Sequence, residues 1–296
     1  MCRLMRRSIC LNSSKPCSTM WKRSPMEGSD MRIIEPHIHM YARTTDDYER
    51  MKEAGYVAVV EPAFWSGTDR SCAGSFFDYF RHLLEFEHNR AARFGIAHYC
   101  VLGVNAKEAR HTDIAFEVLE QLPRFLEHPN CLGVGEVGFD LITDEEEEVL
   151  RRHIRLAEEG KHLVIIHSPH TNKRVGIERI FKVLEKEGAV LSRYIMDHNT
   201  EETIELTLSH PDVMCGITLY PTKVTVERAA AMIRKYGADR IVLNSSADWG
   251  KSYPLQLAEA AKRLPQLGVS PEDTEKVVYL NAKRFFSQSP KFKLEE

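Results

Sequence analysis

His37-Ile38-His39 closes an apolar-rich run, and two histidines at i and i+2 of an extended segment point to one face. Both imidazoles can therefore converge on one metal ion where the strand ends. Later strand-like runs end on further ligand-type residues: Glu136 in GVGEVGFD, His167 in LVIIHSPH, His198 in YIMDHNT and Asp248 in IVLNSSADWG. Imidazole and carboxylate are donors that zinc, manganese, iron and nickel accept, and such sets leave positions open for water. A divalent ion lowers the pKa of bound water from about 15.7 to about 7, so the chemistry that this set points to is hydrolysis. A histidine at a strand end is most often a satisfied polar residue. Six residues of the right type at the ends of successive strands are not independent accidents, and together they indicate one mononuclear or dinuclear centre.

Strand ends can meet only if the strands are arranged around one axis. From residue 31 the chain alternates short β-rich runs with helical patterns, which is the signature of a parallel sheet. The expected strands are 31–39, 56–63, 95–104, 131–139, 163–168, 194–198, 214–219 and 241–246. Helical patterns cover 46–54, 76–93, 145–159, 178–187 and 226–236, and several open on acids and close on bases or glycine, as the helix dipole favours. Eight units with ligand-type residues on strands 1, 4, 5, 6 and 8 fit an α/β fold of the closed (β/α)8 TIM-barrel type. In such a barrel all C-terminal strand ends share one mouth, whereas in an open sheet strands this far apart could not meet.

Composition sets the outer limits. A chain of 296 residues is long for one domain but suits a barrel, which takes about 250 residues. The formal charge of −3 supplies no global basic field for nucleic acid. No apolar run approaches the roughly 18 residues needed for a membrane span. Seven irregularly scattered cysteines read as free thiols in a reducing, cytoplasmic setting, and no CxxC pair suggests structural zinc. The first 26 residues carry six Lys or Arg, three Cys and no Asp or Glu. They read as a disordered segment or an extension upstream of a start at Met20, Met26 or Met31, or as an organelle transit peptide. Residues 1–30 are expected to be dispensable for folding and 31–296 to form the barrel.

With these residues assembled, the chain resembles the TatD-type metal-dependent hydrolases of the amidohydrolase superfamily over most of 31–286. The family's acidic residue followed by x-His-x-His is matched by Glu35-Pro36-His37-Ile38-His39. Its Gly-Glu-hydrophobic-Gly-hydrophobic-Asp signature is matched by Gly135-Glu136-Val137-Gly138-Phe139-Asp140, its later histidines by His167 and His198, and its C-terminal Asn-Ala-x-Arg-x-Phe by Asn281-Ala282-Lys283-Arg284-Phe285-Phe286. Three positions depart from the pattern. Asn105 stands where the family has a histidine after strand 3, Pro169-His170 follow His167 where an arginine is common, and Asn244-Ser245-Ser246 replace Glu-Thr-Asp, with Asp248 two residues later. The Asp248-Trp249 pair is similar to the strand-8 end of phosphotriesterase-like and lactonase-like relatives. The pattern as a whole is similar to a divergent branch such as the TatD-like hydrolases of ebo-type operons.

The resemblance implies two divalent metal ions, with His37, His39 and Asp248 on one, His167 and His198 on the other, and Glu136 shared. It also implies a water oriented and deprotonated by Asp248, with Glu136 the other catalytic carboxylate. Trp65, His170, Lys173 and Lys223 are candidate substrate contacts, with Arg174 beside them, each weighed against an ordinary surface or packing role. Glu35, and less so Glu61, are candidates to orient ligand histidines. The remaining histidines, His98 and His153 among them, read as structural or solvent-exposed in helical or loop contexts. The expected activity is hydrolysis of a small ester, lactone, amide or phosphoester. The alternatives are a metal-dependent 3′ exonuclease on single-stranded DNA, disfavoured by Asn105, the missing arginine and the net charge, and a metabolite-binding barrel without turnover.

Overall fold

A computed structural model of the chain describes residues 31–294; the expectations for residues 1–30 lie outside the described residues. Eight strands, β1 (Ile33–Glu35), β2 (Tyr56–Pro62), β3 (Ala97–Leu102), β4 (Cys131–Gly138), β5 (Leu163–His167), β6 (Tyr194–Met196), β7 (Met214–Thr218) and β8 (Ile241–Asn244), lie side by side in sequence order. Every neighbouring pair is parallel. The crossovers carry α1 (Thr45–Glu53), α2 (Ala73–Arg81), α3 (His88–Ala92), α4 (Thr112–Leu126), α5 (Asp144–Gly160), α6 (Lys173–Lys186), α7 (Ile204–Ser209) and α8 (Val226–Tyr236). The (β/α)8 barrel read from the alternation is therefore the fold. No helix among the described residues is long and apolar enough to cross a membrane.

The strands are shorter than the apolar runs that announce them, and the difference lies at the ends that carry the chemistry. β1 stops at Glu35 because Pro36 has no N–H to donate to a ladder. The chain then runs on beside the end of β8: the Ser246 N–H donates to the His37 carbonyl at 2.8 Å and the His39 N–H to the Ala247 carbonyl at 2.9 Å. These two bonds close the barrel seam and hold the His-x-His segment in place. The helical pattern expected over 76–93 is interrupted by a π-helical stretch, His82–Glu87, between α2 and α3. A capping box of Thr143 and Glu146 opens α5, so the acidic run there is the helix N-terminus that its charge suggests.

The apolar core, which takes residues from both faces of the strands, falls in two clusters. One gathers Ile33, Ile34, Val59, Ile241 and Leu257 around the seam, and the other gathers Val101's neighbours Cys100 and Leu102 with Leu122, Leu150 and Ile180 on the opposite side. The four described cysteines, Cys72, Cys100, Cys131 and Cys215, are free thiols.

Two histidines belong to this scaffold. His98 lies on β3 rather than in a helix or loop, fully buried, with Nε2 2.9 Å from Glu61. His153 is buried in α5, donating from Nδ1 to the Val149 carbonyl at 2.8 Å and accepting from the Val104 N–H at Nε2, 3.1 Å. Burial pushes the His153 imidazole down to about 4. The unfolded chain binds this proton below about pH 6.5 and the folded chain only below about 4. The stability it supplies is thus full above pH 6.5 and is lost as the pH falls to 4, at most about 3 kcal/mol. Melting curves of the wild type and His153→Gln at pH 7 and pH 4.5 should show the gap between them shrinking in acid. An unchanged gap would contradict this role.

Candidate metal centre

The centre is assembled on Glu136. Its strand can lie against β5 because Gly138 has no side chain: a Cβ there would stand 2.1 Å from the His167 carbonyl oxygen, at a φ of +152°. Glu136 Oε1 lies 2.6 Å from His167 Nδ1, 2.8 Å from His198 Nε2 and 3.9 Å from His37 Nε2. Glu136 Oε2 accepts from Asn105 Nδ2 at 3.3 Å, so the residue that replaces the family's strand-3 histidine still faces the centre. Burial pushes the Glu136 carboxyl up, but the neighbouring His167 and His37 and the hydrogen bonds from His167 and His198 outweigh it and hold the group well below the usual carboxylate range.

His37 and His39 meet as their i, i+2 spacing predicts, with Nε2 atoms 3.1 Å apart. Glu35 does not reach either ring. Its buried carboxylate accepts from the His37 and Ser245 N–H groups at 3.3 and 3.1 Å, so it fastens the backbone of β1 to that of β8 instead. Glu61 is likewise taken up by the Tyr41 N–H at 2.7 Å and by His98. The residue that does orient His37 was passed over in the sequence: Asp197 Oδ2 accepts from His37 Nδ1 at 2.5 Å. Asp197 Oδ1 also accepts from the His198 N–H at 2.7 Å and from Asn244 Nδ2 at 2.8 Å. Burial raises the Asp197 carboxyl, and the neighbouring His198, with the hydrogen bonds from His37 and from the His198 N–H, more than offsets that, leaving it well below its ordinary value.

His198 adopts a left-handed backbone, φ 59°, one residue past Asp197. This turn directs both side chains inward, where a regular strand would send them to opposite faces. The His198 Nδ1 lies 2.6 Å from Thr218 Oγ1 and 3.4 Å from Lys223 Nζ. Burial holds His39 and His198 well below the usual histidine range, as do His37 beside the first and Lys223 beside the second, so both rings are neutral.

These donors fit a divalent ion. Ligand atoms of His37, Glu136 and His198 all lie within 4.8 Å of one another. With Nδ1 of His37 against Asp197, its Nε2 faces His39 Nε2 at 3.1 Å and Glu136 Oε1 at 3.9 Å, where an ion between them would meet it. The buried His167 Nε2 has no hydrogen-bond partner among the described residues, a state that costs about 1–3 kcal/mol unless a partner such as a cation engages the atom. The set of imidazole nitrogens around one carboxylate suits a borderline transition metal.

Asp248 stands apart from that cluster. Its Oδ1 accepts from Tyr220 Oη at 3.1 Å, the Gly250 N–H at 2.6 Å and Ser252 Oγ at 3.3 Å. It nevertheless lines the same cavity, about 180 Å³, together with His39, Glu136, His167 and His198. Trp65, His170 and Lys223 line it as well, as their positions after strands predicted. Lys173 is not among the residues lining the cavity; its ammonium donates to Ser168 Oγ at 3.0 Å, and Arg174 pairs with Glu178 at 3.1 Å. His170 is pushed down to about 4 by burial and by His167 and Lys223. Phe64, next to Trp65 in the loop after β2, and Trp249 add aromatic walls.

Known proteins match this chain over most of its length. The family model of TatD related DNase matches residues 34–287. An uncharacterized metal-dependent hydrolase of Methanocaldococcus jannaschii is 29% identical over 256 residues, which span 86% of this chain and 99% of that protein. The crystal structure of a TatD-like protein from Archaeoglobus fulgidus superposes with a TM-score of 0.70 at 27% identity, covering 86% of this chain and 99% of the other. The phosphotriesterase homology protein of Escherichia coli, complexed with phosphate in its active site, shares the fold at a TM-score of 0.64 and 15% identity, over 87% of this chain and 99% of its own. The match across nearly the whole barrel, with the Glu136-centred histidine set inside it, establishes that the chain belongs to the TatD related DNase family and is a TatD-type metal-dependent hydrolase.

Proposed function

We propose that the enzyme hydrolyses a small anionic ester, lactone, amide or phosphoester in the cavity above Glu136. The observation that carries this reading is the pairing of a small cavity, about 180 Å³, with Lys223 at its wall beside the histidine set. Pockets for drug-sized ligands usually measure about 300–1,000 Å³, so the volume favours a compact substrate or a small reacting group. His37, His39, Glu136, His167 and His198 are the residues proposed to hold one or two divalent ions. A bound ion supplies an acidified water and polarises the oxygen of the bond under attack.

The chain's own groups divide the remaining work. Asp248 Oδ1 is fixed by three hydrogen bonds, which leaves Oδ2 to accept the proton of the attacking water. Lys223 places a cation where a substrate carboxylate or phosphate would lie. Phe64, Trp65 and Trp249 exclude water from one side of the cavity.

A panel of phosphomonoesters, carboxylate-bearing lactones, amides and single-stranded DNA, assayed with added zinc or manganese, tests the reading. Turnover of a small anionic substrate, faster than of DNA, supports it. Efficient 3′ digestion of single-stranded DNA with no small-molecule turnover would replace it with the nuclease reading, and binding without turnover of any member would indicate a barrel that has lost catalysis. Lys223→Met should raise KM for an anionic substrate about 10- to 100-fold, the worth of a charged hydrogen bond, and change that for its neutral analogue little. Equal effects on both would remove Lys223 from the substrate.

A further inference from the structure

A ligand imidazole is ordinarily oriented by a hydrogen bond to its second nitrogen. His37 has Asp197 for this, but buried His39 Nδ1 makes no hydrogen bond of good geometry among the described residues, the Pro62 carbonyl being its backbone neighbour. What lies against His39 is the Phe64 ring, face to face at 3.9 Å between centroids and 13° between planes. Phe64 is itself held at both polar backbone atoms. Its N–H donates to Tyr79 Oη at 3.3 Å, and its carbonyl accepts from Arg70 Nη2 at 3.1 Å.

Arg70 is anchored more firmly than a loop arginine needs to be. Its N–H donates to Glu108 Oε1 at 2.8 Å, its Nη1 donates to Glu108 Oε2, and both side chains are buried. The guanidinium also lies over the rings of Phe76 and Tyr79, 4.7 and 4.5 Å from their centroids. Arg70 follows β2 and Glu108 follows β3, so the ion pair ties two mouth loops together and leads through Phe64 to His39.

We propose that Arg70 is a positioning residue for the metal centre, fixing the plane of the His39 imidazole through the stacked Phe64 ring where a well-formed hydrogen bond is lacking. The proposal rests on His39 being a metal ligand. It predicts that metal affinity depends on the Phe64 ring and on the Arg70 contact to its carbonyl, although neither residue offers a ligand atom.

The test uses the full chain stripped of metal and titrated with cobalt(II), following the visible ligand-field bands and competition with a chelator. Phe64→Leu removes the stacked ring, and the double replacement Arg70→Met with Glu108→Leu removes the hydrogen bond to the Phe64 carbonyl. The double replacement exchanges a buried ion pair for apolar side chains, which proteins often tolerate. Both are expected to bind cobalt about tenfold more weakly with shifted bands, at the low end of what orienting partners contribute. Phe64→Tyr, which keeps the ring, should restore wild-type behaviour. If the double replacement does not fold, Phe64→Leu decides the matter. Wild-type affinity and bands in the variants would overturn the positioning role alone, while a wild type that takes up no cobalt would remove the ligand reading and this proposal with it.

Discussion

Glu136→Gln is expected to empty the metal centre and abolish hydrolysis while leaving the fold intact. Oε1 of this carboxylate is the atom on which His167, His198 and His37 converge, at 2.6, 2.8 and 3.9 Å. The amide preserves shape and can still hydrogen-bond to the imidazoles, so the melting temperature should change little. What it removes is the negative charge that offsets a divalent ion in a buried site. Removing one partner of a buried charge pair costs about 3–5 kcal/mol, which is roughly 100- to 4,000-fold in metal affinity. Elemental analysis of the dialysed variant beside the wild type checks this. Equal metal content would show that Glu136 does not hold the ion.

Asp248→Asn should have the opposite signature, losing turnover and keeping metal. The structure separates this residue from the His37, Glu136 and His198 cluster, and its Oδ1 is held by Tyr220, Gly250 and Ser252. The resemblance to the family places Asp248 on a metal, whereas the geometry favours a carboxylate poised at the cavity wall as the proton acceptor. General bases contribute about 100- to 10,000-fold, and an amide in that position cannot take a proton. The expected result is kcat lower by that factor at unchanged metal stoichiometry. Near-wild-type kcat would transfer the role to Glu136 or to a water chain reaching His170, and loss of metal would restore Asp248 to the ligand set.

These contrasting outcomes follow the line between what the sequence makes legible and what it does not. The barrel was legible because alternation of eight β-rich runs with helical periods has few other solutions. His37 and His39 were legible because period-two spacing in an extended segment puts them on one side, and their shared side is what the structure shows. Asp197 was not, for a definite reason: neighbours in a strand point apart, so choosing His198 argued against Asp197. The left-handed backbone at His198 breaks that rule and turns both inward. An acid directly preceding a ligand-type histidine at a strand end was the available signal. The partners of Glu35 could not be read, since Ser245 lies 210 residues away and is brought near only when the seam closes. Asp248 lies in a loop and Lys173 at the first turn of α6, where no periodicity says which way a side chain turns, and local partners such as Ser252 and Ser168 decide.

The central claim is that His37, His39, Glu136, His167 and His198 form a centre that holds transition metal, and its most direct test is the metal content of the purified chain. After extensive dialysis, elemental analysis should find about one to two divalent ions per chain, with metal-free protein regaining that content on addition of zinc or manganese. Less than about 0.2 equivalents, with no recovery on adding either metal, would contradict the account.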